Sequence, residues 1–132
     1  MTPPDDSSPA ARPLSGVKVL VVEDDEATRY AWHEHLTRAG ATVTAVADGE
    51  DAVQALPADA IDVLVIDLLL PGIDGFEVLR NLRTGRPDMV GIAVTALVGQ
   101  EELAYQAGFN AYLTKPVDPA VLAREIARRV GR

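Results

Sequence analysis

The chain has 132 residues, a formal net charge of −8 and a pI near 4.6, a balance that repels phosphate backbones and argues against sequence-independent nucleic-acid binding. It contains no cysteine, so disulfides and thiol chemistry are excluded, and no apolar run approaches the roughly 20 residues that span a bilayer. Hydrophobic residues at 48% and charged residues at 24% fit one globular domain with one core. The first residues lack the basic end and apolar stretch of a secretory signal, so the expected location is the cytoplasm, with no direct membrane contact.

Residues 1–13 are rich in Pro, Ser and Asp and carry no apolar period. They predict a flexible leader or linker, drawn over 1–15, with the folded domain over 16–132. From Val17 the chain alternates apolar runs with helical patterns. Val17–Val22 is a first β-branched strand. Ala31, Trp32, His35, Leu36 and Ala39 lie on one stripe of a helix over 26–39, and Gly40 is a fitting stop. Ala41–Ala47 predicts a second strand, and Ala52, Val53 and Leu56 a short helix ahead of Pro57. Ile61–Ile66 is a third, mostly apolar strand. Phe76, Leu79 and Leu82 predict a helix after Gly75. Met89–Val94 is a fourth strand, Glu101–Ala107 a short helix closed by Gly108, and Asn110–Leu113 a fifth strand. Asp118 and Pro119 suit an N-cap and first helical residue, and Leu122, Ile126 and Val130 form the last helix's apolar stripe.

Five strands alternating with five helices predict an α/β fold with a doubly wound parallel sheet. Near-continuous apolar strands fit burial on both faces. The flavodoxin-like strand order 2-1-3-4-5 is the natural candidate. In such sheets ligands bind beyond the carboxyl ends of the strands, at the switch in strand order. Strand one ends in Glu23-Asp24-Asp25-Glu26, strand three in Asp67 and strand four in Thr95, and strand five is followed by Lys115-Pro116. Taken singly, each residue has an ordinary reading as a solvated turn, an N-cap, a strand threonine or a surface lysine. Together they place three carboxylates, a hydroxyl and an ammonium on one rim. Crowded carboxylates raise one another's pKa unless a cation relieves them. Mg²⁺, which takes few carboxylates, several waters and a phosphate oxygen, suits this set.

Four segments carry a resemblance. VLVVEDD (19–25), DLLLPGIDG (67–75), VTAL (94–97) and GFNAYLTKP (108–116) resemble, in order, the motifs of the receiver domain of two-component response regulators, from about Val17 to Val130. The resemblance implies Asp67 as phosphoacceptor and Mg²⁺ held by Glu23, Asp24, Asp67 and the Leu69 backbone carbonyl. Asp24 would be the direct ligand of the acidic pair and Glu23 would act through water. It implies Thr95 as the hydroxyl that turns toward the phosphoryl group and Tyr112 as the aromatic that follows it. Lys115 would pair with Asp67 and then with the phosphoryl group, across a cis Lys115–Pro116 peptide. Leu69 and Leu97 would govern water access and hence the lifetime of the phosphoryl group. The departures are Glu23 where Asp is commoner and Leu70 where Met is common.

The implied role is a signalling domain rather than an enzyme. A histidine kinase or histidine phosphotransfer domain would donate a phosphoryl group, and a downstream protein would read the fourth helix, fifth strand and fifth helix. The chain's ends resemble receivers of hybrid histidine kinases, and a stand-alone receiver is the other reading. Three rivals stay open. A flavin-binding protein would need a phosphate cradle where EDDE stands, and a haloacid-dehalogenase-like aspartyl-phosphate phosphatase would need an Asp at Leu69. The third is a pseudo-receiver that binds proteins without phosphorylation. His33 and His35 are two apart and do not share a face; they read as structural or surface residues, and Trp32 as packing. Arg124, Arg128, Arg129 and Arg132 make the last helix basic, either a solvated face or part of a partner surface.

Overall fold

The computed structural model describes residues 12–131; the leader expected over 1–15 lies outside them up to residue 11. In its described part, Leu14 is fully buried and its N–H donates to the Ala39 carbonyl at 2.8 Å. The packed domain therefore includes residues assigned to the leader.

Five strands, β1 (Lys18–Val22), β2 (Thr42–Val46), β3 (Val63–Asp67), β4 (Val90–Thr95) and β5 (Ala111–Thr114), form one parallel sheet in the order β2-β1-β3-β4-β5. Five helices alternate with them: α1 (Glu26–Arg38), α2 (Gly49–Ala55), α3 (Gly75–Gly85), α4 (Glu101–Gln106) and α5 (Pro119–Arg129). A 3₁₀ turn, Ala58–Ala60, that the apolar pattern did not predict leads into β3. The doubly wound architecture and strand order are those expected from the sequence.

Side chains alternate across the sheet as its pleat requires. Val19, Val21, Val63, Val65, Ile92 and Val94 pack toward α1 and α5 with Trp32, Leu36, Leu122 and Ile126. Leu20, Val22, Leu64, Ile66 and Ala93 pack toward α2, α3 and α4 with Val78, Leu79, Leu82 and Ala104. Burial on both faces explains why β1 and β3 read as unbroken apolar runs. The α1 stripe is narrower than expected: Trp32, Leu36 and Ala39 are buried, His35 is half-buried and Ala31 is exposed.

Carboxylates start four of the helices. Asp25, Asp48, Asp74 and Asp118 each accept a backbone N–H from the first turn of α1, α2, α3 and α5, satisfying a donor that the helix leaves free. Gly40, after α1, has φ 105°, and a Cβ there would come within 2.8 Å of the Ser15 nitrogen. Glycine fits both demands.

Candidate functional site

The strand register brings the polar ends together. β3 and β4 run one residue beyond the expected apolar runs, so Asp67 pairs with Val94 inside the ladder and Thr95 with Thr114. The Lys115 N–H then donates to the Thr95 carbonyl at 2.9 Å. Both side chains that end these strands are buried, Asp67 4% exposed and Thr95 fully enclosed. Glu23, one residue beyond β1, is also fully buried, while Asp24 is exposed.

Carboxylate oxygens of Glu23, Asp24 and Asp67 lie within 4.8 Å of one another. The Lys115 ammonium joins two of them, 2.6 Å from Asp67 Oδ2 and in contact with Glu23 Oε1. Asp67 is fixed at its other oxygen as well, where Oδ1 accepts the Leu69 N–H at 2.8 Å. Glu23 Oε2 accepts the Asp25 N–H at 2.9 Å. Burial pushes the Glu23 carboxyl above its usual range, and the Lys115 and Asp25 hydrogen bonds only partly offset it. Burial alone would lower the Lys115 ammonium, but Asp67 and Glu23 outweigh it and hold it above its ordinary value. This carboxylate excess with one ammonium fits a hard divalent cation. Glu23 Oε1 is buried and, among the described residues, has the Lys115 ammonium as its one partner.

Thr95, Leu97 and Tyr112 form a short relay. Thr95 Oγ1 accepts the Leu97 N–H at 3.1 Å, and the Leu97 carbonyl accepts the Tyr112 hydroxyl at 2.5 Å. One residue in the loop after β4, through its N–H on one side and its carbonyl on the other, therefore touches both residues that the sequence singled out for switching.

A family model for the response regulator receiver domain matches residues 19–127. The chain belongs to that family. It is similar to the transcriptional regulatory protein AfsQ1 of Streptomyces coelicolor, 38% identical over 120 residues, which cover 86% of this chain and 52% of the relative. It is 42% identical to the transcriptional regulatory protein TcrA of Mycobacterium tuberculosis over 105 residues, 78% of this chain and 42% of the relative. The chain thus spans about half the length of these curated relatives. Among solved structures it resembles the receiver domain of sensor histidine kinase PA1611 from Pseudomonas aeruginosa, which has a magnesium ion coordinated in its active-site cleft. That likeness has a TM-score of 0.75 at 35% identity and covers 89% of this chain and all of the other. Receivers of this family are signalling domains of two-component systems.

The receiver's expected site residues meet as follows. Glu23, Asp24, Asp67 and Lys115 form one cluster; Thr95 and Tyr112 are joined through Leu97. Leu69 is half exposed and Leu97 half-buried. The Lys115–Pro116 peptide is cis. Asp25 stands apart as the α1 cap, accepting the Thr28 N–H at 2.9 Å and the Thr28 hydroxyl at 2.6 Å. His33 and His35 are outside the cluster.

Two contacts were not legible in the sequence. Arg29 Nη1 donates to the Glu23 carbonyl at 2.8 Å and to the Asp24 carbonyl at 3.3 Å, bracing the acidic loop. Glu50 Oε1 accepts the Ile73 N–H at 3.2 Å and so ties α2 to the loop that follows Asp67. All three partners are backbone atoms, which leave no mark on a residue pattern. Among the described residues no helix is long and apolar enough to cross a membrane.

Proposed function

We propose that this receiver takes a phosphoryl group from a phosphohistidine onto Asp67 and changes its partner-binding face in response. The observation that carries the reading is the Lys115 ammonium bridging Asp67 and the buried Glu23, with Asp24 completing the acidic cluster. A pure protein-binding pseudo-receiver has no use for a half-compensated carboxylate trio with two members buried.

Phosphoryl transfer passes through a loose transition state with charge spread over the phosphoryl oxygens, so the protein's task is positioning and charge stabilisation. The Leu69 N–H and Lys115 hold the two Asp67 oxygens in place. A carboxylate oxygen attacks phosphorus in line, the bond from phosphorus to imidazole nitrogen breaks, and the imidazole leaves as an aspartyl phosphate forms. Glu23, Asp24, Asp67 and the Leu69 carbonyl would hold Mg²⁺, which when bound neutralises charge on the transferring group. Lys115 supplies a second positive charge from the protein itself.

The new phosphoryl oxygens offer Thr95 an acceptor that exists only in the modified state. When the hydroxyl turns to them, the Leu97 N–H loses its partner and the loop moves. Tyr112, bonded to the Leu97 carbonyl, moves with it. This is differential stabilisation of one of two arrangements. The readout face is α4, β5 and α5, where Val98, Leu103 and Tyr105 are exposed on and beside α4. The donor is a histidine kinase or histidine phosphotransfer domain and the reader a protein partner; the setting is cytoplasmic.

The test is intact-mass analysis after incubation with acetyl phosphate or a phosphohistidine donor. One phosphoryl group should be added with Mg²⁺ and none without it, and Asp67→Asn should take none. Stoichiometric labelling of that variant would overturn the assignment.

A further inference from the structure

Lys115 has a third neighbour that the chemistry above does not use. Its ammonium sits over the ring of Trp32, 5.9 Å from the ring centroid. Trp32 is the chain's sole tryptophan and is 2% exposed. It projects from α1 into the core cluster that also holds Val19, Val21 and Val65, and so is held from several sides. The Lys115 side chain is 21% exposed.

A cation over an aromatic face is attracted by the ring's quadrupole, most strongly over tryptophan and where water is excluded. The indole face cannot compete with Asp67 or Glu23 for a directed hydrogen bond. It is a partner whose strength does not depend on what the carboxylate oxygens are doing. Modification of Asp67 would change the ammonium's bond to Oδ2, and a divalent cation among the same carboxylates would repel it. The ring's attraction survives both events. Lysine is otherwise a flexible stem with a freely turning head, and beside Glu23 the ring is a fixed partner that limits its wandering while the Asp67 contact is exchanged.

We propose that Trp32 is a positioning residue: its ring holds the Lys115 ammonium at the acidic cluster by cation–π attraction, keeping it in place as the charge on Asp67 changes. The functional consequence rests on the phosphoacceptor reading; the contact itself does not.

Because Trp32 is the sole tryptophan, growth on monofluoro-, difluoro- and trifluorotryptophan alters this ring alone, draining its π face with little change of shape. Two measurements follow on the folded chain. By proton NMR, the Lys115 ε-methylene should show an upfield ring-current shift that Trp32→Leu removes. The rate of labelling by acetyl phosphate in saturating Mg²⁺ should fall stepwise with fluorine count, by about three- to tenfold across the series, with an unchanged unfolding midpoint. In Lys115→Met the dependence on fluorine should vanish. A labelling rate that stays flat across the series, or an ε-methylene without a ring shift, overturns the proposal. A wild-type chain that takes no label at all refutes the phosphoacceptor reading instead. In that case the graded change of the Lys115 ammonium resonance with fluorination decides whether the ring holds it.

Discussion

Glu23 and Asp24 are neighbours in sequence but sit in different media, the first fully buried and the second exposed. Asp25, next again, is already committed to capping α1 through Thr28, which holds its carboxyl below the usual range. Three consecutive acids therefore have three jobs, and substitution should separate them. Asp24→Asn should weaken Mg²⁺ binding by about tenfold or more, since it removes a charge from a cluster only a few ångströms across. Asp25→Asn should change it little, because asparagine caps a helix as well as aspartate does. Trp32 emission is a suitable readout, because the ring lies against Lys115 beside the cluster. Equal losses in the two variants would mean that the acidic pair is misassigned. The same scale sets the phosphoryl group's lifetime. Leu69 and Leu97 follow Asp67 and Thr95 by two positions, and neither side chain can hydrogen-bond an attacking water. Decay after donor removal should take minutes to hours, and Leu69→Asn or Leu97→Glu should shorten it. Decay within seconds in the wild type, or no change in either variant, would show that these side chains do not control water. Residue identities made this much legible: a carboxylate, hydroxyl or ammonium at a strand end names its own chemistry. Trp32 was legible only as an apolar residue on a helical stripe, since nothing in that stripe tells which cation lies above the ring.

The strands were placed well by their apolar runs but ended early in three cases. β3, β4 and β5 each extend one residue past the run, to Asp67, Thr95 and Thr114. The ladder is made of backbone groups, so it continues under a polar side chain that hydrophobic periodicity treats as a boundary. That extra residue is what aligns the site, since it fixes Asp67 and Thr95 in the sheet rather than in mobile turns. The loop after β4 behaves differently. Its contacts to Thr95 and Tyr112 run through the backbone of one residue, Leu97, by its N–H and its carbonyl, and no pattern of residue types could have shown it. Thr95→Ala tests this element. The variant should still accept a phosphoryl group, because the hydroxyl reports the group more than it receives it. It should lose on the order of 1 kcal/mol of stability, since the Leu97 N–H is left without its acceptor. Phosphorylation-induced amide shifts around Tyr112 should shrink. A full wild-type response in the variant would break the proposed relay.

Across the whole molecule, the two ends of the sheet have opposite electrostatic designs. At the carboxyl ends of the strands, the three clustered acids outnumber the single ammonium. At the other end a carboxylate is fully matched. Asp62, just before β3, accepts the Lys18 N–H of β1 at 2.8 Å and the Arg86 guanidinium at 2.7 Å, and Arg86 also donates to the Ile61 carbonyl at 2.7 Å. Three elements, β1, β3 and the end of α3, are thereby joined far from the chemistry. Partial burial works against the Asp62 carboxylate, but the Lys18 N–H and Arg86 outweigh it and hold the carboxyl below its usual value near 3.8. A depressed folded-state pKa means stability that is complete above the unfolded value and is lost as pH falls through the folded one. Asp62→Asn should therefore lower unfolding free energy near neutral pH by about 1 kcal/mol, kept small because solvent still reaches the pair. The deficit should narrow below about pH 4, where the wild-type carboxylate is itself protonated. Urea unfolding at a neutral and an acidic pH measures both values. The rate of Asp67 labelling should be unchanged, because the pair touches nothing at the site. A deficit of equal size at both pH values would assign the effect to packing rather than charge, and a slowed labelling rate would show that the two ends of the sheet are coupled.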